Sequence, residues 1–414
     1  MNAHTLAAAD PETLSFEATI RAVEESSVWL SKTYFYPESG GQPADEGTID
    51  GVRVADVQRH DGEIEHVLAE PPSVDVGDRV TGSIDAAPRT YNRRAHTASH
   101  IVYGAGRRLF DATGYAGFDI GPERVRLDFE TEAAVGDVDP LDIQRAANEV
   151  VWENRLVEWD ELDAAAVRAD PKIVFNLDAD SESDTVRIVE IDGWDVSACG
   201  GTHVRSTGEI GPIKLLSVSN PGANCLRVEY AVGPPAIERQ LAETAAARRA
   251  ADRLETAVES LGESVNRIAA ERDALESTCS ELRERLLHAR LDALAEHPHE
   301  HGGHEWLVGT VSNVDANTVA DVVRSVESGA DACVLVGRDD ATFVVVASTV
   351  EPAAGGPDAA AVVETITARF GGGGGGQHSL AQGGGLDVDP ERVVAAIRDG
   401  EVDLSSNTEL TRGK

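Results

Sequence analysis

Two histidines lie four residues apart in the segment RRAHTASHIVYGAG, residues 93–106. In a helix, residues at this spacing share one face, with Cβ atoms about 5–6 Å apart. The imidazoles of His96 and His100 could therefore reach one metal ion, at about 2.0–2.1 Å per bond if the ion is zinc. Thr97 rather than glutamate follows His96, so the pair is not the H-E-x-x-H motif of zinc proteases. Alone, the pair is weak evidence for a metal site.

A cysteine and a histidine have the same spacing in DVSACGGTHV, as Cys199 and His203. The two glycines between them allow the positive φ angles and close backbone approach of a tight turn, which would fold both side chains onto one ion. With His96 and His100 they make three imidazoles and one thiolate, a complete tetrahedral set. The sequence therefore predicts a metal site of these four residues, with one Zn²⁺ per chain as the favoured ion.

Two glycine-containing stretches could bind substrates. The first, TYFYPESGGQPADEG at 33–47, has the pattern of a strand, a turn and another strand. The second, FGGGGGGQHSLAQGGG at 370–385, lacks the Lys-Ser/Thr of a nucleotide P-loop. Its composition is equally that of a flexible linker. It lies between an apolar helix and DPERVVAAI, however, and in such a loop the exposed backbone N–H groups could approach phosphates or riboses.

The elements that must position these groups indicate an α+β protein. Residues 14–85 alternate between apolar and polar types in short runs, which predicts a β-barrel-like N-terminal domain over 1–87. Helical periodicity in TASHIVYGAGRRLF and DPLDIQRAANEVVWENRL, together with several strand-like runs, predicts an α+β domain that contains the zinc site over 88–235. Alternating strands and helices predict a compact C-terminal α/β module over 296–414.

A long helical segment, 236–295, separates these two parts. Its mostly apolar positions are spaced by four and three residues, which predicts a coiled-coil helix or a helical hairpin. The seam positions are Leu254, Val258, Leu261, Val265, Ile268, Arg272, Leu275, Cys279, Leu282, Leu286 and Ala289. The spacing leaves open whether the seam pairs within one chain or between two.

The 414 residues carry a formal net charge of −37, and the acidic residues are dispersed along the chain. Such dispersal indicates a solvated surface, here that of a protein from a high-salt cytoplasm. At about 1 M salt the screening length is about 3 Å, so the charge does not exclude RNA there, although at ordinary salt it would argue against it. No run approaches the ~18 apolar residues of a membrane span, and no secretory signal is evident. We therefore expect a cytoplasmic protein without a membrane partner.

Four motifs in this order resemble the editing part of alanyl-tRNA synthetases and the stand-alone AlaX-type editing proteins. They are TYFYPESGGQPADEG, RAHTASHIV, SACGGTHVRSTGEIGPIKLL and CLRVEYAVG, and they span roughly residues 30–235. The helical segment and GGGGGGQHSLAQGGG resemble the synthetase's C-terminal tRNA-binding module, of the DHHA1 type. The layout is similar to the long form of the stand-alone editors.

The resemblance implies a zinc-dependent hydrolase that acts in trans on mischarged tRNA(Ala), chiefly Ser-tRNA(Ala) and also Gly-tRNA(Ala). It also implies an aminoacyl-tRNA deacylase that is not an aminoacyl-tRNA ligase, because the chain starts just before the barrel. No catalytic residue is assigned beyond the zinc site. A tRNA-binding protein with a structural zinc, and an editing enzyme for another mischarged tRNA, are the alternatives.

The resemblance also suggests substrate contacts. Thr33 would pair with the serine hydroxyl and be left unsatisfied by alanine, which lacks that group. Gln42, after the turn at Gly40 and Gly41, would hold the ester or the terminal adenosine. Contacts with tRNA fall to the glycine-rich loop, at Gly373, Gly374, Gly375, Gly376, His378, Gly383, Gly384 and Gly385. The coiled coil or the C-terminal module could also form a homodimer.

Overall fold

The structure is a computed structural model that describes residues 5–110, 114–170, 173–175, 184–325, 329–351 and 355–404. The chain divides into two compact units, Met1–Arg253 and Leu254–Lys414. Among the residues that the structure describes, no helix has both the length and the apolar character needed to cross a membrane. The finer domain boundaries expected from the sequence stay predictions.

The first unit begins with a closed barrel, as the alternating pattern predicted. Its strands are β1 (Ser15–Glu24), β2 (Ser27–Leu30), β3 (Gly47–Ile49), β4 (Val52–His60), β5 (Glu63–Leu68) and β6 (Arg79–Ile84). They close in the order β1-β2-β5-β4-β3-β6. Successive side chains of a strand point to opposite faces, so every second residue of β6 is buried inside the barrel. The barrel core includes Ile20, Phe35 and Val57.

The rest of the first unit is built around one buried helix, α1 (Ala86–Leu109). The further helices are α2 (Pro140–Glu153), α3 (Ala164–Ala169) and α4 (Pro234–Arg253). The strands are β7 (Gly114–Ile120), β8 (Val125–Glu130), β9 (Val157–Asp163), β10 (Val174–Phe175), β11 (Thr185–Ile191), β12 (Asp195–Ala198), β13 (Ile213–Gly222) and β14 (Cys225–Val232). They form two four-stranded sheets, β10-β12-β11-β9 and β13-β14-β8-β7. Every residue of α1 from Ala95 to Gly106 is buried, so its polar side chains must find partners inside the protein.

The second unit is a helix followed by an α/β module. Its helices are α5 (Leu261–Ala295), α6 (Ala316–Ser325), α7 (Ala359–Phe370) and α8 (Pro390–Arg398). Its strands are β15 (His299–His301), β16 (His304–Thr310), β17 (Ala332–Arg338), β18 (Thr342–Ser348), β19 (Gly373–Gly376) and β20 (Leu380–Leu386). One six-stranded sheet has the order β15-β16-β17-β18-β20-β19.

The helical segment is interrupted near the start of the predicted seam. Helix α4 ends at Arg253 and α5 begins at Leu261. Glu255 between them has a φ of 50°, in the left-handed region that interrupts a helix. The seam positions Leu254 and Val258 therefore lie outside α5.

The glycine-rich segment is a β-hairpin, so the expectation of a loop is wrong. Residues 373–376 pair antiparallel with 381–384. Ladder hydrogen bonds use only backbone groups, so a run of glycines can form a strand when a neighbouring strand is fixed. A Cβ on Gly374 would lie 2.4 Å from the carbonyl oxygen of Gln382, and one on Gly376 would lie 2.4 Å from that of Leu380. Part of the glycine run is therefore required by close strand packing rather than by flexibility.

Candidate metal centre

Helix α1 presents His96 and His100 on one face. Their rings are stacked, with centroids 5.8 Å apart and an interplanar angle of 22°. Both residues are at most 5% exposed. The spacing of four residues therefore places two imidazoles side by side in the interior of the first unit.

The turn after β12 brings Cys199 and His203 to the same place. Gly200 and Gly201 do not have the positive φ angles expected for this turn. Close approach is the reason for Gly201 instead, since a Cβ there would lie 2.1 Å from Cε1 and 2.2 Å from Nδ1 of His96. The turn can press against the α1 histidines only because this position has no side chain.

The four side chains converge with the dimensions of a tetrahedral zinc site. Cys199 Sγ lies 3.3 Å from Nε2 of His96 and 3.4 Å from Nε2 of His203. One ligand atom from each of His96, His100, Cys199 and His203 lies within 4.8 Å of all the others. Bonds of about 2.0–2.1 Å to nitrogen and 2.3 Å to sulfur give a tetrahedron with edges of about 3.3–3.6 Å. The residues present therefore fit a Zn²⁺ ion.

A second layer of side chains orients the three imidazoles. Nδ1 of His96 lies 2.9 Å from Oε1 of Gln42, and Nδ1 of His100 lies 2.9 Å from Oδ2 of Asp195. Nδ1 of His203 lies 3.1 Å from Oγ1 of Thr97, whose hydroxyl donates to the Arg93 carbonyl. With each Nδ1 paired outward, each Nε2 is left to face the centre of the cluster, as in known metal sites.

The electrostatics favour a cation at the centre. Burial raises the pKa of the Cys199 thiol. The His96 and His203 imidazoles lower it by more than burial raises it, so the pKa lies well below its usual range. Burial lowers the pKa of His203 well below its usual value, although the Cys199 thiolate opposes this. Burial also lowers the pKa of His100, but hydrogen bonds to Asp195 and Cys199 outweigh it and raise the pKa to about 10. The cluster thus holds a thiolate among buried imidazoles, and the negative charge of that thiolate attracts a cation.

Hydrogen bonds to neighbouring residues hold the side chain of Gln42 in place. It is fully buried. Its Oε1 accepts from the Thr202 backbone N–H at 3.1 Å, and its Nε2 donates to the Thr202 hydroxyl at 3.0 Å. The expected role in holding the ester stays a prediction, whereas the observed contacts join His96 to the turn that carries His203.

Thr33 lies inside the barrel, 1% exposed. Burial lowers the pKa of His66 to about 4, so this imidazole is neutral at pH 7. His66 Nδ1 lies 3.2 Å from the Val28 carbonyl and donates to it, so its Nε2 accepts from the Thr33 hydroxyl at 2.8 Å. The hydroxyl expected to recognise serine is therefore already paired with a residue that sequence spacing did not reveal.

A cavity of about 430 Å³ opens beside the cluster. His96, His100 and Cys199 lie in its wall with Gly40 and Phe118. The full lining is Tyr36, Ser39, Gly40, His96, Ser99, His100, Tyr115, Ala116, Gly117, Phe118, Ala198, Cys199, Gly200 and Gly201. Of the expected substrate contacts, only Gly40 is among these residues. A small molecule entering this cavity meets the ligand set directly.

The turn at 39–42 is fitted tightly to the cavity wall. Gly41 has a φ of 79°, and a Cβ there would lie 2.2 Å from the Phe118 carbonyl oxygen. Arg89 on α1 forms a fully buried ion pair with Asp45 of the same motif. Arg89 also donates to the Tyr34 carbonyl at 2.6 Å. These contacts hold the barrel motif against α1 and so place Gln42 beside His96.

The expected tRNA contacts belong to the second unit. Gly373, Gly375 and Gly384 form one face of the β19–β20 hairpin, where a Cβ would meet no atom within 4 Å. His378 lies in the turn of the hairpin, with Nε2 3.4 Å from Oε2 of Glu351. The remaining glycines, Gly374, Gly376, Gly383 and Gly385, complete the hairpin strands or the end of β20. Their contact with tRNA stays a prediction.

Asp195 and Thr97 are the site residues that the sequence analysis missed. Asp195 is four residues before Cys199, and Thr97 directly follows His96. Neither spacing is typical of a metal site. The hydrogen-bond partners of Asp195 and Thr97 are decided only when α1 packs against β12 and the turn after it.

We expect Asp195→Ala to weaken zinc binding by about 10- to 100-fold, because His100 loses the carboxylate that orients it. Asp195→Asn keeps an acceptor for Nδ1–H and should weaken binding less. Asp192→Ala, an exposed neighbour, is the matched control. Competition with a chromophoric chelator measures the affinities, and equal affinities for Asp195→Ala and Asp192→Ala would contradict the assignment.

Two known families match parts of the chain. Residues 186–229 match the family described as the threonyl and alanyl tRNA synthetase second additional domain. Residues 2–88 match tRNA synthetases class II (A). The chain thus carries sequence features of the alanyl-tRNA synthetase family.

Curated relatives agree with these matches. Alanine--tRNA ligase of Pyrococcus furiosus is 36% identical over 270 residues, which are 64% of this chain and 29% of that protein. Alanine--tRNA ligase of Methanosarcina mazei is 33% identical over 356 residues, 83% of this chain and 38% of that protein. The chain therefore spans about a third of the length of these relatives. The crystal structure of the C-Ala domain from Aquifex aeolicus alanyl-tRNA synthetase matches at 22% identity and a TM-score of 0.22, over 27% of this chain and 98% of that one.

These matches correct one expectation. The chain was expected to be a deacylase outside the ligase class, and this is wrong. The class II synthetase match at 2–88 and the relatives named as ligases point to a ligase instead. The position at which this sequence starts does not bear on whether the protein is a ligase.

Proposed function

We propose that this chain, which carries alanyl-tRNA synthetase features, uses the His96–His100–Cys199–His203 cluster to hydrolyse the ester bond of misacylated tRNA(Ala) in trans. The observation that carries the proposal is the convergence of three imidazoles and one thiolate, of which His96, His100 and Cys199 lie in the wall of a cavity. Seryl-tRNA(Ala) is the favoured substrate and glycyl-tRNA(Ala) the second. The motif order of the AlaX-type editing proteins supports this reading.

The chain's own residues prepare the reaction site. Gln42, Asp195 and Thr97 hold the three imidazoles, so little reorganisation is needed when substrate arrives. Phe118, a partly buried residue of the cavity wall, offers a ring on which the terminal adenosine can stack. Zinc bound by this set would supply Lewis-acid activation of the ester or of water, or orient the substrate.

A second candidate function is tRNA binding with a structural zinc. Four protein ligands fill a tetrahedral ion, which is typical of structural sites, whereas catalytic sites keep one position open. This candidate predicts tightly bound zinc and intact tRNA binding without hydrolysis.

Release of serine from Ser-tRNA(Ala) in high KCl tests the proposal, with Ala-tRNA(Ala) as the control substrate. High salt is needed because the net charge of −37 repels tRNA at low ionic strength. We expect release that is lost with a chelator and restored by zinc. ATP-dependent attachment of alanine should be measured in the same preparation. Zinc-loaded protein that binds tRNA but releases no serine would refute the proposal and favour the structural candidate.

The glycine face of the hairpin gives a separate prediction for tRNA binding. Gly375→Leu places a side chain on a face where the backbone is now bare, without a clash inside the module. If a ribose-phosphate chain packs against this face, we expect tRNA affinity to fall about tenfold. Gly136→Leu, also at an open position with ordinary φ, is the matched control. Filter binding measures both, and unchanged affinity for Gly375→Leu would remove this face as the tRNA contact.

A further inference from the structure

Each imidazole of the metal centre has an orienting partner, and the fourth ligand, Cys199, has one too. Cys199 directly follows β12, and β12 pairs antiparallel with β11. Beyond the end of β12, the Cys199 N–H donates to the backbone carbonyl of Arg187, on β11, at 3.0 Å. The pairing of the two strands therefore brings residue 187 next to the ligand that the turn carries.

The side chain of Arg187 binds the same turn. Its Nη1 donates to the carbonyl oxygen of Cys199 at 2.7 Å and to that of Gly201 at 3.1 Å. One residue thus holds both the N–H and the C=O of Cys199, the first through its backbone carbonyl and the second through its guanidinium. With the backbone of Cys199 held on both sides, only its side-chain torsion is left to set the direction of Sγ.

Further contacts hold the guanidinium of Arg187 in place. Its Nη2 donates to the Ala8 carbonyl at 2.9 Å, in the segment before β1. Its Cζ lies 5.1 Å from the centroid of the Trp159 ring, within the range of a cation–π contact. The indole N–H of Trp159 donates in turn to the Ala9 carbonyl at 3.2 Å. Because a guanidinium presents its donors in a rigid planar fork, this set of contacts restrains it against the Cys199 turn.

The position of this turn decides whether the four ligands converge. Cys199 Sγ lies 3.3 Å from Nε2 of His96 and 3.4 Å from Nε2 of His203. Gly201 lies so close to the His96 ring that an added Cβ would be 2.1 Å from it. A shift of the turn on the order of 1 Å would take the thiolate out of bonding distance, since metal–ligand distances hold to about 0.2 Å. The two carbonyls that Arg187 binds belong to the two residues with these close contacts.

We propose that Arg187 is a positioning residue of the metal centre, which holds the 199–201 turn in the form that lets the thiolate bind Zn²⁺ together with the three imidazoles. Arg187 is not among the described residues that line the cavity, so it acts through the turn rather than on a substrate. It does for the thiolate what Gln42, Asp195 and Thr97 do for the imidazoles. Its effect on hydrolysis rests on the proposed function, whereas its effect on metal binding does not.

The alternative is that Arg187 contributes only a charge packed on Trp159, and Arg205 distinguishes the two explanations. Cζ of Arg205 lies 3.9 Å from the centroid of the same ring, and the residue is exposed. The hydrogen bonds to the Cys199 and Gly201 carbonyls come from Arg187. Arg205→Met is therefore the matched control, because it removes the same charge from the same ring and keeps both carbonyl contacts.

Replacement of the guanidinium in the full chain, in high KCl, tests the proposal. Arg187→Met removes every side-chain donor, and we expect zinc affinity to fall about 100-fold. Arg187→Lys keeps the charge but cannot reproduce the planar fork, and we expect a fall of about tenfold. Arg205→Met should bind zinc as the wild type does. Competition with a chromophoric chelator measures all four proteins, and equal affinities for Arg187→Met and Arg205→Met would overturn the proposal.

Cobalt in place of zinc gives a measurement that a general loss of stability would not reproduce. Co²⁺ bound to a thiolate shows a sulfur-to-metal charge-transfer band in the near ultraviolet, separate from the visible bands of the ion. At saturating Co²⁺ we expect this band to lose most of its intensity in Arg187→Met, while the three histidines still bind the ion, and to persist in Arg205→Met. A band of full intensity per bound Co²⁺ in Arg187→Met would overturn the proposal.

The fold of each variant is checked by circular dichroism and by thermal unfolding with excess chelator. If Arg187→Met does not fold, Arg187→Lys provides the test, because its ammonium can still donate to one carbonyl of the turn. Wild-type zinc affinity together with a full charge-transfer band in Arg187→Lys would then overturn the proposal. Serine release is measured separately, so a wild-type protein that binds zinc without releasing serine would refute the proposed hydrolysis and leave the role of Arg187 to the metal measurements.

Discussion

Replacement of His100 by alanine is expected to reduce bound zinc from one per chain to a small fraction and to abolish serine release. One of four ligands is lost, which should weaken zinc binding on the order of 10²- to 10³-fold. The substitution also leaves the Asp195 carboxylate buried without its imidazole partner. Removing one member of a buried pair typically costs about 3–5 kcal/mol, so the variant should also be less stable.

His100→Gln separates these two effects. Its amide can still donate to Asp195, so the fold should be retained, but it removes the imidazole that would bind zinc. His60→Ala, at an exposed histidine of the barrel, is the matched control. Atomic absorption measures zinc, and the Ser-tRNA(Ala) assay measures hydrolysis. Full zinc content in a folded His100→Gln protein would exclude His100 as a ligand, and full hydrolysis without zinc would exclude the metal from the reaction.

Gly201→Ala is expected to be nearly as damaging, although it adds one methyl group and removes no ligand. Its Cβ would lie 2.1 Å from the His96 ring, so the turn or the imidazole must move. A displacement on the order of 1 Å breaks the ligand geometry, because metal–ligand distances hold to about 0.2 Å. We expect zinc affinity to fall about 100-fold and hydrolysis to fall with it.

Gly200→Ala is the matched control for this substitution. Gly200 is the preceding residue, has ordinary φ, and has no atom within 4 Å of an added Cβ. Zinc affinity, hydrolysis and thermal stability of Gly200→Ala should therefore stay near wild type. If the two alanine variants behave alike, the close approach of the turn to His96 is not a requirement of the site.

The sequence contained enough to predict that His96, His100, Cys199 and His203 converge, and to predict the barrel. A spacing of four residues puts His96 and His100 on one face of a helix, and a glycine turn can bring Cys199 and His203 together. Both relations depend only on residues close together in the chain. The barrel followed from alternating polarity over 14–85, because a strand has two faces. The enzyme class could not be predicted from such local patterns. The expectation that the chain lies outside the ligases was wrong.

Local patterns by themselves determined which residues could bind a metal and which segments could be helix or strand. Tertiary structure alone decided that Gln42, Asp195 and Thr97 orient the three imidazoles and that Thr33 donates to His66. It also decided that the glycine run forms a β-strand and that the seam residues Leu275, Leu282 and Leu286 of α5 are exposed. The reason is physical: spacing along a chain fixes only neighbours within a turn of helix, whereas hydrogen-bond partners and exposed faces depend on how elements distant in sequence pack.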